Sequence, residues 1–307
     1  MSTGARQSFA CFGGTVTVSV RGEGEEALLA RARETLLDAH RRLSRFEPES
    51  ELSRLNRDPR RAVPASPLLR RFVAAARTAG ELSGGLVDAT LLEEIERLGY
   101  VESLRPGEGP ALPATEPAPA GASQAARWRS LAVDEEAGCV LRPPGTGLDS
   151  GGIAKGLLAD VVAEQLRGAR AFAIDCCGDL RFGGSAGLVR KLRVENPFGG
   201  EPVHELSLPE GAAATSGTTR RTWVGPDSRP AHQILDPASG LPAETGIVQA
   251  TALAPTALEA EVFAKAALLS GPDGAGRRLP FGGVLVLAGG RVEAVSARTA
   301  AMKPVPV

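Results

Sequence analysis

The chain has 307 residues, 43% of them hydrophobic, enough to bury a full core without a metal or disulfide holding it together. Its 35 basic and 36 acidic residues leave a net charge of -1 and aromatics make up only 4%, so neither a basic footprint nor a row of stacking rings points to nucleic acid. A small polar ligand or a protein partner is expected instead.

No apolar run precedes Cys11, which argues against a signal peptide or a lipoprotein cleavage site. No later run reaches transmembrane length. The four cysteines, at 11, 139, 176 and 177, fit a reducing compartment, and the adjacent pair lacks the gap of a redox or zinc motif. A cytoplasmic protein with buried, unreactive thiols is expected.

Residues 15–21 alternate apolar and polar and predict a half-buried strand. An amphipathic helix follows from Glu25 to Leu43, with Leu28, Leu29, Ala32, Leu36, Ala39 and Leu43 on or near one face. Next comes a loop around Pro48, with Ser50 placed to cap a short helix. A helix over 66–83 stops at Gly84-Gly85, and Leu91–Leu98 makes another short one. Residues 104–126 hold five prolines and almost no large apolar side chain, and read as a surface insertion or linker, the least ordered segment. Trp128–Leu141 reads as a hairpin turning at 134–138, followed by a helix over Ile153–Leu166 and a strand over Ala171–Asp175. Four short strands are expected near 180–183, 191–196, 203–208 and 221–224. A strand over Gly246–Leu253 leads into a helix over Thr256–Leu269, and a hairpin over 283–295 ends the pattern. Helices and strands are segregated, so the fold class is α+β with mostly antiparallel or mixed sheets, and no internal repeat is visible.

The stretch Leu148-Asp-Ser-Gly-Gly-Ile-Ala-Lys-Gly156 places a glycine turn ahead of a helix whose first turn carries Lys155. Backbone N–H groups freed by Gly151 and Gly152, the helix dipole and the lysine charge together suit a phosphate. Asp149 fits that reading only with a metal ion or a ribose hydroxyl between it and the phosphate. On the residues alone it is equally an N-cap.

Several segments, taken in order, resemble the ApbE-type flavin transferases, the FAD:protein FMN transferases. They are Phe9–Thr15, Leu43–Asn56, Gly85–Thr90, Leu148–Gly156, the loop at Ala214–Thr218, Leu235–Pro242 and Ala254–Glu261. The resemblance covers almost the whole chain. It implies one ApbE-like domain over 1–307, with the Pro/Gly/Ala-rich insertion at about 104–126. The implied architecture is two-part and T-fold-related, with FAD in the cleft between the parts. The implied activity breaks the FAD pyrophosphate and joins FMN through a phosphoester to a Ser or Thr hydroxyl of an acceptor protein, releasing AMP. A divalent cation, usually Mg²⁺, assists.

By the same resemblance Asp149, Lys155 and Leu235 contact FAD, Asp88 lies near its adenosine with Leu86 and Val87 beside it, and Phe46 packs on the flavin nucleotide. The Gly152 carbonyl would ligate the metal, and Glu261 falls where the family has a metal-ligand Asp. Phosphoryl transfer asks a protein mainly for charge neutralisation and alignment, and Mg²⁺ takes about six oxygens, often some from substrate phosphate. Read without the resemblance, Phe46, Leu86 and Val87 are ordinary apolar residues and Asp88 is a helix cap.

The chain departs from the family in places that bear on chemistry. The family His three residues before the Asp of the Asp-Pro turn is Gln233, and Gln cannot take a proton. His232, next door, is the expected replacement, which with Lys155 completes the candidate catalytic pair. On the helix from Thr256 the family's Asp and Thr become Glu261 and Lys265, either a plain i,i+4 ion pair or a lysine replacing the cation. Leu92–Ile95, Phe12-Gly13-Gly14 and Cys177-Gly178 also differ from the family pattern. Two functions are therefore expected: an active transferase with an altered metal site, or a catalytically impaired FAD-binding homologue. A structural partner with an empty cleft is a third, weaker reading.

Overall fold

Alternation places Val16, Val18 and Val20 on one face of a strand, and all three are inaccessible to solvent or nearly so. In the computed structural model, which describes residues 4–104, 109–110 and 116–298, that strand is β2 (Gly14–Arg21), paired with β1 (Ala5–Cys11). Helix α1 (Glu25–Leu43) buries Leu29, Ala32, Leu36, Ala39 and Leu43. The Ser50 hydroxyl accepts from the Ser53 N–H to start α2 (Glu51–Arg57). After β3 (Ala62–Pro64), Ser66 caps α3 (Pro67–Ser83), which Gly84 ends in the left-handed conformation at φ 67°. Helix α4 (Leu92–Arg97) follows, and β4 (Ala132–Asp134) and β5 (Cys139–Leu141) form the expected hairpin, joined by β3.

The second half begins with α5 (Ala154–Gln165), β6 (Ala171–Cys176) and β7 (Asp179–Gly183). Then come the hairpin of β8 (Arg190–Val194) and β9 (His204–Leu208), strand β10 (Gly211–Gly217), and the hairpin of β11 (Thr222–Val224) and β12 (Pro230–His232). Short strands β13 (Leu235–Asp236) and β14 (Leu241–Pro242) precede β15 (Ile247–Ala254), α6 (Ala257–Leu269), β16 (Gly283–Leu287) and β17 (Val292–Val295).

Eight strands form one sheet in the order β1-β2-β6-β7-β10-β15-β16-β17, with every described pairing antiparallel. Helices α1, α5 and α6 pack on it, with α3 against α6. Sequence patterning misses two of its strands. Strand β1 is an edge strand with mostly exposed side chains, so it lacks the alternation of a half-buried one. Strand β10, Gly-Ala-Ala-Ala-Thr-Ser-Gly, has too few β-branched residues to look like a strand, and its Ala214–Thr218 part reads as a loop. It lies instead between β7 and β15. Its smallness serves packing: Ala212 and Ala214, with Ala250 and Ala252 of β15, are 0% exposed and let α6 sit close.

The proline-rich segment is likewise better anchored than its composition implies. Residues 105–108 and 111–115 lie outside the described residues. From 116 onward the chain is tied down, with Ala118 N–H donating to the Glu244 carbonyl (2.8 Å), Ala120 N–H to the Leu269 carbonyl (2.9 Å) and Gly121 N–H to the Asp236 carboxylate (2.8 Å).

Helices α5 and α6 make a close backbone contact. A methyl on Gly156 would lie 2.5 Å from the Ala257 carbonyl oxygen. One turn on, the Asp160 carboxylate accepts from Ala257 and Leu258 N–H, each at 2.9 Å, satisfying the first turn of α6. The capping box of Thr256 and Glu259 completes that end. Gly156→Ala is therefore expected to cost about 2–3 kcal/mol, because the obstacle is backbone that cannot swing aside. Differential scanning calorimetry checks this, the expected result being a melting temperature lower by several degrees.

Candidate active site

The loops at the end of α1, after α3 and before α5 enclose a cavity with β13. Its wall includes Phe46, Leu86, Val87 and Asp88, together with Asp149, Gly152, Lys155 and Leu235. A second cavity lies over the sheet, with Thr215, Gly217, Gln249 and Thr251 from β10 and β15 on its floor and Arg193 and Glu195 on a wall. The two cavities share Gly151, Lys155, Arg221, Gln233, Ile234 and Lys265.

Four charges meet at that junction. The Lys155 ammonium forms a short hydrogen bond to Asp179 and lies 3.5 Å from Glu261 Oε1, which also accepts from Lys265 Nζ at 2.9 Å. Glu261 Oε2 accepts from the Gly156 N–H at 2.9 Å. The carboxylates sit behind, at 1% and 0% side-chain exposure, and the ammoniums in front, at 16% and 12%. Burial works against charge on Lys155, but Asp179 and Glu261 outweigh it and hold its pKa above the usual range. Burial pushes the Asp179 carboxyl up. Burial also opposes ionisation of Glu261, yet the two lysines and the Gly156 N–H bring it below the usual value. With Arg221 alongside, the quartet turns a cationic face to both cavities, an arrangement suited to a pyrophosphate.

The Asp149 carboxylate caps no helix: α5 has no side-chain cap. Arg45 Nε donates to it at 2.9 Å, while Arg45 Nη2 donates to the Tyr100 carbonyl at 2.7 Å. The guanidinium lies over the rings of Phe46 and Tyr100, 4.2 and 4.7 Å from their centroids, and Tyr100 stacks on Trp223 at 4.9 Å. This aromatic cluster fixes both Phe46 and Asp149. Asp88 Oδ1 accepts from the Thr90 N–H (2.8 Å) and hydroxyl (2.6 Å), whereas Oδ2 is buried with no partner among the described residues. Burial raises its pKa. An orphaned acceptor on a cavity wall is a place for a donor on a ligand.

His232 does not take the position expected of it. It lines neither cavity, is 1% exposed, and accepts from the Ile234 N–H through Nδ1 at 3.2 Å. Burial pushes its pKa down to about 4. Consecutive residues of an extended chain point to opposite sides, so Gln233 faces the junction and His232 the interior. Gln233 Nε2 donates to the Gly217 carbonyl at 3.4 Å.

The residues do not fit the expected magnesium. Both oxygens of Glu261 are committed to lysines and a backbone N–H. Among the described residues no three His, Cys, Asp or Glu side chains are grouped to hold a metal ion. Asp179, Arg45, Tyr100 and Arg221 are parts of the site that sequence reasoning misses: Arg45 stands inside a resembling segment without an assigned role, and the other three reach the site through tertiary packing.

A family model described as the ApbE family matches residues 12–280. The chain is 27% identical to the FAD:protein FMN transferase of Haemophilus influenzae over 253 residues, 78% of this chain and 71% of that protein. The crystal structure of an ApbE protein from Thermotoga maritima superposes with a TM-score of 0.79 at 22% identity, covering 95% of this chain and 97% of that one. The apo form of the flavinyl transferase ApbE from Pseudomonas stutzeri gives a TM-score of 0.75 at 23% identity, covering 96% of each chain. The likeness spans both the sheet and the loops that wall the cavities, and the chain belongs to the ApbE family.

Proposed function

We propose that this chain transfers FMN from FAD to a Ser or Thr hydroxyl of an acceptor protein and releases AMP. One observation carries the reading: the residues assigned to the nucleotide all line one cavity, and it opens onto a second at Lys155 and Lys265. FAD fits the first, with adenosine toward Asp88, Leu86 and Val87, the flavin nucleotide toward Phe46 and Leu235, and the pyrophosphate at the lysines. An extended acceptor segment fits the second, between β8 and the Thr215–Thr251 pair.

In the proposed step the acceptor hydroxyl oxygen attacks the phosphorus on the riboflavin side. The bond from that phosphorus to the bridging oxygen breaks, and AMP leaves with that oxygen. Lys155 and Lys265 neutralise the charge gathering on the leaving group. Gln233 at the junction can orient the hydroxyl but not deprotonate it, so the proton passes to solvent. The same Gln233 supports a second reading, an FAD-binding homologue that no longer transfers.

A cytoplasmic location belongs to the proposal and is supported by four free cysteines. No helix among the described residues is long and apolar enough to cross a membrane. One domain over 1–307 is also part of it, supported by a single large apolar cluster that joins residues from both halves of the chain.

Incubation with FAD and flavin-acceptor proteins, followed by intact mass, should show an acceptor gaining FMN and an equal amount of AMP. FAD bound with no adduct would establish the impaired homologue instead. Asp88→Ala should weaken FAD binding by about tenfold in a fluorescence titration, through loss of one buried acceptor. His232→Gln should leave the transfer rate within about twofold, because His232 does not reach the junction.

The same variant should change acid stability. The folded-state pKa of His232, about 4, lies below its unfolded value, so the neutral imidazole favours the fold above that unfolded value and the benefit is lost as pH falls toward 4. The term is about 3 kcal/mol at most, and urea melts between neutral pH and pH 4 should show a shallower decline in His232→Gln.

A further inference from the structure

We propose that the Lys265 ammonium stands in the place of a divalent cation, so that this chain binds FAD through its pyrophosphate without any metal. The inference rests on the reading of the large cavity as an FAD site. It starts from the disagreement between the donor set and a magnesium ion.

Gly152 and Glu261 are the two residues that the resemblance gives to a metal, and Lys265 comes close to both. A methyl placed on Gly152 would be 3.9 Å from Lys265 Cε, and Lys265 Nζ is 2.9 Å from Glu261 Oε1. Lys155 Nζ approaches the same oxygen at 3.5 Å, so a dication binding Glu261 would have to displace one ammonium and sit beside the other. Mg²⁺ also needs oxygen ligands at close range and gives up its waters reluctantly. Each Glu261 oxygen already has a partner, Oε1 the two lysines and Oε2 the Gly156 N–H.

Lys265 is also built for a ligand. It is placed four residues after its partner on α6, where the two side chains meet on one face, and it lines both cavities. An ordinary surface i,i+4 pair is solvated on every side. Here the carboxylate is fully buried, and the only accessible part of the pair is the cation. The charge this supplies is placed by the fold and does not depend on the concentration of a free ion.

The test is FAD titration of the wild-type protein by flavin fluorescence, once in EDTA and once in magnesium chloride. Alongside it, Mn²⁺ binding to the protein without FAD is followed by electron paramagnetic resonance. The expected result is the same FAD affinity in both buffers, no stoichiometric Mn²⁺, and an affinity about tenfold weaker in EDTA for Lys265→Gln, which keeps a hydrogen-bond donor on a slightly shorter side chain but not the charge. FAD binding that tightens several-fold with magnesium, a stoichiometric Mn²⁺, or a Lys265→Gln variant that binds FAD as the wild type does would each overturn the proposal. Wild-type protein that binds no FAD in either buffer would overturn the FAD reading of the cavity itself. The Mn²⁺ measurement then still decides whether the lysine excludes a metal.

Discussion

The approach of α5 to α6 at Gly156 is the constraint on which the rest depends. Only a residue without a side chain lets the Gly156 N–H reach Glu261 while the Ala257 carbonyl passes 2.5 Å from where a methyl would be. That contact carries a fully buried carboxylate to the first turn of α5 and so to Lys155. A buried carboxylate is tolerated only when its partners are in place, and three are supplied by two helices that touch at this point. The phosphate-type loop at 148–156 thus owes its geometry as much to a helix a hundred residues downstream as to its own glycines.

Much of the fold is legible in the sequence where one face of an element is apolar and the other is not. Helix α1 shows its stripe, Ser50 shows its cap, and β2 shows its alternation. The signal fails where packing demands smallness. The alanines of β10 are chosen to let α6 close on the sheet, so they read as featureless although they lie at the heart of it. At the site, family resemblance collects Phe46, Leu86, Val87, Asp88, Asp149 and Leu235, and they line a single cavity. It gives Arg45 no role although Arg45 stands in a resembling segment, and it does not find Asp179, because a residue that acts on another through space leaves no local pattern. It aligns Gln233 with the family His, and the expectation that His232 takes over fails because neighbours on an extended chain face opposite sides.

The two faces of the sheet divide the labour. The helix-bearing face is apolar and alanine-rich and positions α5 and α6. The opposite face keeps polar side chains, with the Thr215 and Thr251 hydroxyls 2.8 Å apart and Gln249 Nε2 donating to the Glu195 carbonyl at 2.8 Å. That last bond ties the β8–β9 hairpin to the sheet and gives the second cavity a fixed wall. On the proposed function, a protein substrate and a nucleotide are recognised on opposite sides of one charged junction, by surfaces that vary independently.

The charge quartet is also a report on folding. Its four members come from α5, β7 and α6, so no cationic face exists until the helices have docked on the sheet and on each other. An anion held by both lysines would bind only the fully packed chain, and by mass action would favour that state over any with α6 loosened. If the lysines hold the nucleotide as proposed, its supply and core integrity are linked: in a cell short of it, the same chain would be more exposed to the machinery that removes loosened proteins.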